Sequence, residues 1–301
     1  MSRAGLPDRV TVVEVGPRDG LQNERAMIPR DLKVAFVEAL AQAGLPVIEI
    51  AAFVNPSRVP QMADASEVAT AIHRRPGVRY AALVPNLRGL DAARAAGVSE
   101  VAIFAAASET FSQRNINQSV EHSLAQYREV VAQATIAGIR VRGYLSTSFG
   151  CPFEGDVPVT RVVELTERLL AMGVVEVAVS DTIGVATPGQ VTDVLAALTA
   201  RVPVSALALH LHDTRGTALA NVYAGLQAGV ATFDSAAGGL GGCPFAPGAS
   251  GNLATEDLIY MLDGLGIETG VALDGVVAAS RLMAGALDHA LPSRYFHAVA
   301  G

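Results

Sequence analysis

His210, Leu211, His212 and Asp213 close the apolar run ALALHLHD that begins at Ala206. Side chains alternate across a strand, so the two imidazoles project from one face at its end and can share a divalent ion. By itself an H-x-H pair is equally consistent with an incidental pair on a strand. Two other groups add weight if the chain folds back on itself: Arg18-Asp19 far upstream, and Cys243 within GGLGGCPFAPGASGN, residues 238–252. Two neutral imidazoles suit Mg²⁺, Mn²⁺ or Zn²⁺, and oxygens from Asp19 and Asn252 favour Mg²⁺ or Mn²⁺. A guanidinium from Arg18 beside such an ion is placed to stabilise an enolate oxygen. A Gly-rich loop with one thiol over a cavity mouth can act as a lid that delivers a proton donor or acceptor. Plainer readings stand beside each of these. Asp19-Gly20 is also a turn signal, Arg18 suits a salt bridge at a rim, and the thiol of a mobile loop can be incidental.

Other chemistries fit poorly. The chain has two cysteines, Cys151 and Cys243, too far apart in sequence for a paired-thiolate zinc motif. No G-x-x-x-x-G-K-[ST] pattern occurs, which argues against a nucleotide hydrolase. Cys151 shares the local sequence Gly-Cys-Pro-Phe with Cys243 and reads as a packing thiol.

The elements that must position these groups are legible as a repeat. Short β-rich runs begin at Thr11, Val47, Val78, Glu100, Arg140, Val175, Ala206 and Ala231, and Ala- and Leu-rich stretches of helical spacing separate most of them. Leu32, Phe36, Val37 and Leu40 form one such stripe, which Gly44 and Pro46 stop. This alternation predicts parallel strands with helical crossovers. About eight units fit a closed (β/α)8 TIM barrel better than an open doubly wound sheet. No linker is long or polar enough to divide the chain, so the expectation is a single domain over residues 1–301, with helices over 254–265 and 270–290 and a C-terminal extension from about residue 266. In a TIM barrel the chemistry sits at the C-terminal ends of strands. Asp19 follows the first strand, Glu49 lies in the second, Asp181 follows the sixth, His210 and His212 end the seventh, and Cys243 follows the eighth. One rim can therefore gather them all.

Composition sets the limits. Half of the 301 residues are hydrophobic, only 5% are aromatic and Trp is absent, so the core must come from Ala, Val, Leu and Ile. A net charge of −7 speaks against a broad nucleic-acid surface. No long charge-free apolar stretch predicts a membrane span, and the N-terminus has no apolar signal core. Two cysteines fit a reducing compartment, and the expected location is cytoplasmic. The residues do not fix the assembly state, and a homodimer or higher homo-oligomer is compatible with them.

VVEVGPRDGLQNE (12–24) and GGCPFAPGASGNLATEDLIYML (241–262) closely resemble the 3-hydroxy-3-methylglutaryl-CoA lyase family. IEIAAFVNPSRVPQMAD, SETFSQRNIN, RGYLSTSFGCPFEGD, SDTIGVATPGQ and HLHDTRG follow in the family's order, so the resemblance covers nearly the whole chain. It implies a metal-dependent TIM-barrel lyase with Asp19, His210, His212 and Asn252 as ligands of Mg²⁺ or Mn²⁺. It also implies Arg18 as the enolate-stabilising residue, Cys243 as the catalytic thiol and an acyl-CoA as substrate. The implied reaction is a retro-Claisen cleavage to acetyl-CoA and acetoacetate. Asp19, Glu49, Asp181 and Glu256 compete as base or as groups that position water or substrate, and Glu49 and Asp181 are equally suited to orienting other side chains. Leu211, Arg215 and Ser180 depart from the pattern of animal members. Arg215 is expected to alter charge near the mouth, which leaves room for a related hydroxyacyl-CoA. A barrel that binds CoA esters without turnover is the non-catalytic alternative.

Overall fold

The computed structural model describes residues 5–242 and 251–300. Eight parallel strands close into a barrel in chain order: β1 Thr11–Glu14, β2 Val47–Ala52, β3 Arg79–Leu83, β4 Glu100–Ala106, β5 Arg140–Ser146, β6 Glu176–Asp181, β7 Leu207–Leu211 and β8 Thr232–Ser235. β8 pairs back onto β1, with Val12 beside Phe233 and Val13 beside Asp234. The expected (β/α)8 TIM barrel is therefore the observed fold, with each strand within a residue or so of its predicted start.

Crossover helices cover the outside: α1 Arg30–Gln42, α2 Ala65–Ala71, α3 Leu87–Ala95, α4 Glu109–Ile116, α5 Val120–Ile136, α6 Val159–Ala171, α7 Pro188–Thr199 and α8 Ala218–Gln227. The stripe read from α1 packs inward: Phe36, Val37 and Leu40 are fully buried and Leu32 partly so. Each fully buried side chain of this size contributes roughly 1.5–3 kcal/mol. α1 ends where Gly44 turns the backbone to φ +96°, a conformation that favours glycine. β-branched and small residues (Val12, Val47, Ala82, Val101, Val141, Val177, Ala208) fill the strands at 2% exposure or less, which is how a core with few aromatics reaches packing density.

Three helices follow the barrel strands: α9 Thr255–Leu265, α10 Leu273–Ala284 and α11 Arg294–Ala300. The predicted helix over 270–290 is shorter than expected. Gly285 stands at its C-terminal cap, and the chain runs without helix through Leu291-Pro292 before α11 begins. α11 is anchored at its start by Asp257 of α9, which accepts from the Ser293 hydroxyl (3.0 Å) and from the N–H groups of Arg294 (3.1 Å) and Tyr295 (2.7 Å).

Candidate active site

Arg18 and Asp19 sit in a single π-helical turn, Gly16–Gly20, in which the N–H groups of Arg18 and Gly20 both reach back to the Val15 carbonyl at 3.1 Å. A widened turn of this type is a common device for aiming side chains at functional sites. Its base is a buried carboxylate. Glu14 accepts from the N–H groups of Gly16 (2.8 Å) and Ala237 (2.9 Å) through Oε1, and from the Thr255 hydroxyl (2.7 Å) through Oε2. It thereby ties the turn after β1 to the segment after β8. Burial pushes the Glu14 pKa up to about 8, although its hydrogen bonds oppose the shift.

The rest of the site comes from β7 and the segment after β8, the neighbours of β1 around the closed barrel. His212 pairs with Asn252 in an antiparallel bridge, flanked by hydrogen bonds from Asp213 N–H to the Gly251 carbonyl (3.1 Å) and from Leu253 N–H to the Leu211 carbonyl (3.0 Å). This pairing needs two glycines in close crossing. Gly251 has φ +90° and a Cβ there would strike the carbonyls of Gly239 and Gly241, while a Cβ on Gly241 would strike the Asn252 amide.

These segments converge. The Nε2 atoms of His210 and His212 lie 3.2 Å apart, and Asp19 Oδ2 lies 3.9 Å from the first and 3.8 Å from the second. Asn252 donates its Nδ2 to Asp19 Oδ2 (2.9 Å) and to the Leu240 carbonyl (3.1 Å). Arg18 Nη1 and Gln22 Nε2 donate to the other oxygen, Oδ1, at 2.5 and 2.8 Å. Burial disfavours charge on Asp19, but Arg18 and then the two histidines outweigh it and bring the pKa down to about 2. Burial and the neighbouring His210 push His212 down to about 4, so its ring is neutral at pH 7.

The donor set fits a divalent cation. Among the described residues, Asp19, His210 and His212 each offer an atom, all within 4.8 Å of one another. Two neutral imidazoles and one carboxylate are a suitable ligand set, and His210 Nδ1 already has a carboxylate behind it, Asp234 Oδ2 at 3.1 Å. Among the described residues, His212 Nδ1 and Asn252 Oδ1 are buried and find no hydrogen-bond partner. End-for-end rotation of the Asn252 amide brings that unpartnered oxygen beside Asp19 Oδ2, where it can serve as a ligand.

Arg18 is buried, and its Nε donates to Glu49 Oε1. The second oxygen of Glu49 accepts from the Tyr144 hydroxyl at 2.8 Å, and the Arg18 guanidinium lies over the Tyr144 ring, 5.3 Å from its centroid. A cavity of about 650 Å³ opens above this group. Arg18, Asp19, His210 and His212 line its floor, with Tyr144 and Ser180 beside them. Glu49 and Asp181 do not line it. Asp181 accepts from the N–H groups of Val185 and Ala186, both at 2.9 Å, and so shapes the turn after β6. Glu256 lies away from the cavity, accepting from Gly238 N–H and the Ser280 hydroxyl. Arg215 donates from its guanidinium to the carbonyls of Ile183 (3.1 Å) and Gly184 (2.9 Å), which holds its charge against the loop after β6, and it does not line the cavity. Cys151 is buried with Sγ 3.0 Å from the Ser108 hydroxyl, as a packing thiol would be. Cys243 lies outside the described residues.

Sequence reasoning passed over Tyr144, Gln22 and Glu14. The signal for Tyr144 was its spacing: Arg142, Tyr144 and Ser146 alternate on β5, so they share the face that looks into the barrel.

The family model described as HMGL-like matches residues 9–283. The chain is 51% identical over 291 residues to the cytoplasmic 3-hydroxy-3-methylglutaryl-CoA lyase of Rattus norvegicus, covering 97% of this chain and 85% of that protein. It is 52% identical over 289 residues to the mitochondrial hydroxymethylglutaryl-CoA lyase of Bos taurus, covering 96% and 89%. The crystal structure of hydroxymethylglutaryl-CoA lyase from Pseudomonas aeruginosa superposes with a TM-score of 0.96 at 50% identity, over 98% of this chain and 99% of that one. A structure of an HMG-CoA lyase from Acinetobacter baumannii in complex with coenzyme A and 3-methylmalate superposes with a TM-score of 0.93 at 38% identity, over 99% and 97%. With a family model matched over residues 9–283 and relatives about half identical over nearly its whole length, the chain belongs to the HMGL-like family.

Proposed function

We propose that this protein is a lyase that cleaves 3-hydroxy-3-methylglutaryl-CoA to acetyl-CoA and acetoacetate. The observation that carries the reading is the convergence of Arg18, Asp19, His210 and His212 on the floor of one cavity, in a chain about half identical to lyases of that name. Asp19, His210, His212 and Asn252 would hold a Mg²⁺ or Mn²⁺ ion. Such an ion, when bound, lowers the pKa of a hydroxyl on it and orients the substrate.

The chain's own groups do the rest. Asp19 has Oδ1 engaged by Arg18 and Gln22, while Oδ2 faces the two imidazoles; as the carboxylate that lines the cavity, it is the group placed to take the substrate's hydroxyl proton. Glu49 and Tyr144 fix the Arg18 side chain from below, which leaves its charge pre-set toward the cavity. As the carbon–carbon bond breaks, negative charge develops on the thioester oxygen. A guanidinium that needs no reorganisation stabilises it there. Asp181 sets the turn that carries Thr182 to the cavity wall. Cys243 is the proton donor to the acetyl-CoA enolate that results.

The finer assignment of substrate rests on the relatives' names, and one is crystallised with coenzyme A. A panel of hydroxyacyl-CoA thioesters, each assayed for cleavage with Mg²⁺ and with Mn²⁺, tests it. The six-carbon branched substrate should give the highest kcat/KM, and preference for another member would reassign the substrate while keeping the chemistry. The relatives include cytoplasmic and mitochondrial proteins, and no helix among the described residues is long and apolar enough to cross a membrane. We place this enzyme in the cytoplasm, where a buried free thiol such as Cys151 is stable.

A further inference from the structure

Beneath the cavity floor lies a second layer of charge. Arg142 of β5 and Asp234 of β8 meet across the inside of the barrel, with Nη2 donating to Oδ1 at 2.6 Å and Nη1 to Oδ2 at 3.0 Å. Arg142 Nε is taken by Glu176 at 2.7 Å. Arg142 and Asp234 are 3% and 1% exposed, so neither exchanges its partner for water.

The register of β7 on β8 sets His210 directly beside Asp234, and His210 Nδ1 lies 3.1 Å from Asp234 Oδ2. A carboxylate that receives both N–H groups of a permanently charged guanidinium can only accept from a third neighbour. Nδ1 of His210 must therefore carry the proton. The other nitrogen, Nε2, is left with a bare lone pair toward His212 and Asp19. Tyr144 closes the remaining side of the ring. It stands edge-on to His210 with centroids 5.5 Å apart, and the Arg142 guanidinium lies over it at 5.0 Å.

We propose that Asp234, held by Arg142, is a positioning residue that fixes the tautomer and the ring orientation of His210 so that Nε2 faces the site as an acceptor. Its consequence for cation affinity rests on reading Asp19, His210 and His212 as ligands; the tautomer does not. The two parts can therefore be tested separately.

The first test uses the wild-type protein without metal. The chain has six histidines, few enough for two-bond ¹H–¹⁵N correlation of the imidazoles at about pH 8, above the ordinary imidazole pKa. The His210→Gln spectrum serves to assign the signal. His210 should show the pattern of a neutral ring protonated on Nδ1. A ring protonated on Nε2, or one averaging between tautomers, overturns the proposal.

The second test is calorimetric titration with Mn²⁺. Asp234→Asn puts an amide N–H₂ against one arm of Arg142 or against His210, and its affinity should fall about 10- to 100-fold. Its His210 signal should also lose the wild-type pattern. Binding as tight as wild type, with the His210 tautomer unchanged, contradicts the proposal. If the lyase reading fails, no acetoacetate is formed, yet neither the tautomer nor the Mn²⁺ titration is altered by that result.

Discussion

His212 and Asn252 face each other across an antiparallel bridge, so a residue at the end of the Gly-rich stretch is locked beside the imidazole that follows β7. Asn252 then reaches Asp19 at 2.9 Å and joins the segment after β1 to the segment after β8. Three strand ends are thus clamped together by one amide, one carboxylate and two rings.

Removing one imidazole should weaken the cation site before it weakens the fold. His212→Ala is expected to lower Mn²⁺ affinity at least about 10-fold, with thermal unfolding close to wild type. Calorimetric titration measures the first and a melting curve the second. Unchanged affinity would take His212 out of the ligand set.

In the proposed role, Arg18 stabilises charge that develops in the transition state, so its loss should appear in kcat. Arg18→Gln is expected to reduce kcat about 10²- to 10³-fold, with KM changing much less. Glu49→Gln should shift kcat in the same direction by a smaller factor, because the guanidinium stays in place but loses its charged partner. Steady-state kinetics that show a KM effect alone would place Arg18 in substrate binding only.

Glu14 gives a pH signature of stability. Its folded pKa, about 8, lies above the ordinary value of 4.5, so the folded state holds a proton that the unfolded chain has released. The stabilisation is complete below about pH 4.5, and it is lost as pH rises toward about 8, at no more than about 1.4 kcal/mol per pH unit. Glu14→Gln mimics the protonated group: its oxygen can accept from Gly16 and Ala237 and its amide can donate to Thr255. Denaturant midpoints from about pH 6 to 8 should therefore fall less steeply in the variant than in wild type. Some slope should remain from Glu256, which burial raises to about 7. Parallel slopes in the two proteins would show that Glu14 is ionised throughout.

Cys243→Ser should bind substrate and lose turnover, by about 10²-fold or more if the thiol moves a proton in the slow step. Equilibrium binding of a non-cleavable thioester, set beside kcat, separates the two effects. A near-normal kcat removes the thiol from the mechanism.

The fold was legible because its signals are local: strand starts, helical stripes and glycine stops recur along the chain. His210, His212 and Asp19 were legible for a related reason, since barrel topology assigns every strand end to one rim. What escaped was the layer below. Arg142, Asp234 and Tyr144 sit inside strands, and only the register of β7 on β8 and the passage across the barrel reveal that they meet. Glu49 and Asp181 were visible as polar residues at strand ends. Sequence alone could not separate a carboxylate that faces substrate from one consumed by Arg18 or by the N–H groups of Val185 and Ala186. The carbonyls of Ile183 and Gly184 that fix the Arg215 guanidinium likewise carry no mark in the sequence.

Cation-dependent carbon–carbon cleavage at Asp19, His210 and His212 is the proposed activity. The most direct measurement is acetoacetate release from 3-hydroxy-3-methylglutaryl-CoA by purified protein, first stripped with a chelator and then given Mg²⁺ or Mn²⁺, with His210→Ala as control. Metal addition should give stoichiometric acetoacetate and acetyl-CoA, with little product in the stripped enzyme and little in the variant. Absence of product under all conditions, or full activity in the stripped enzyme, would contradict it.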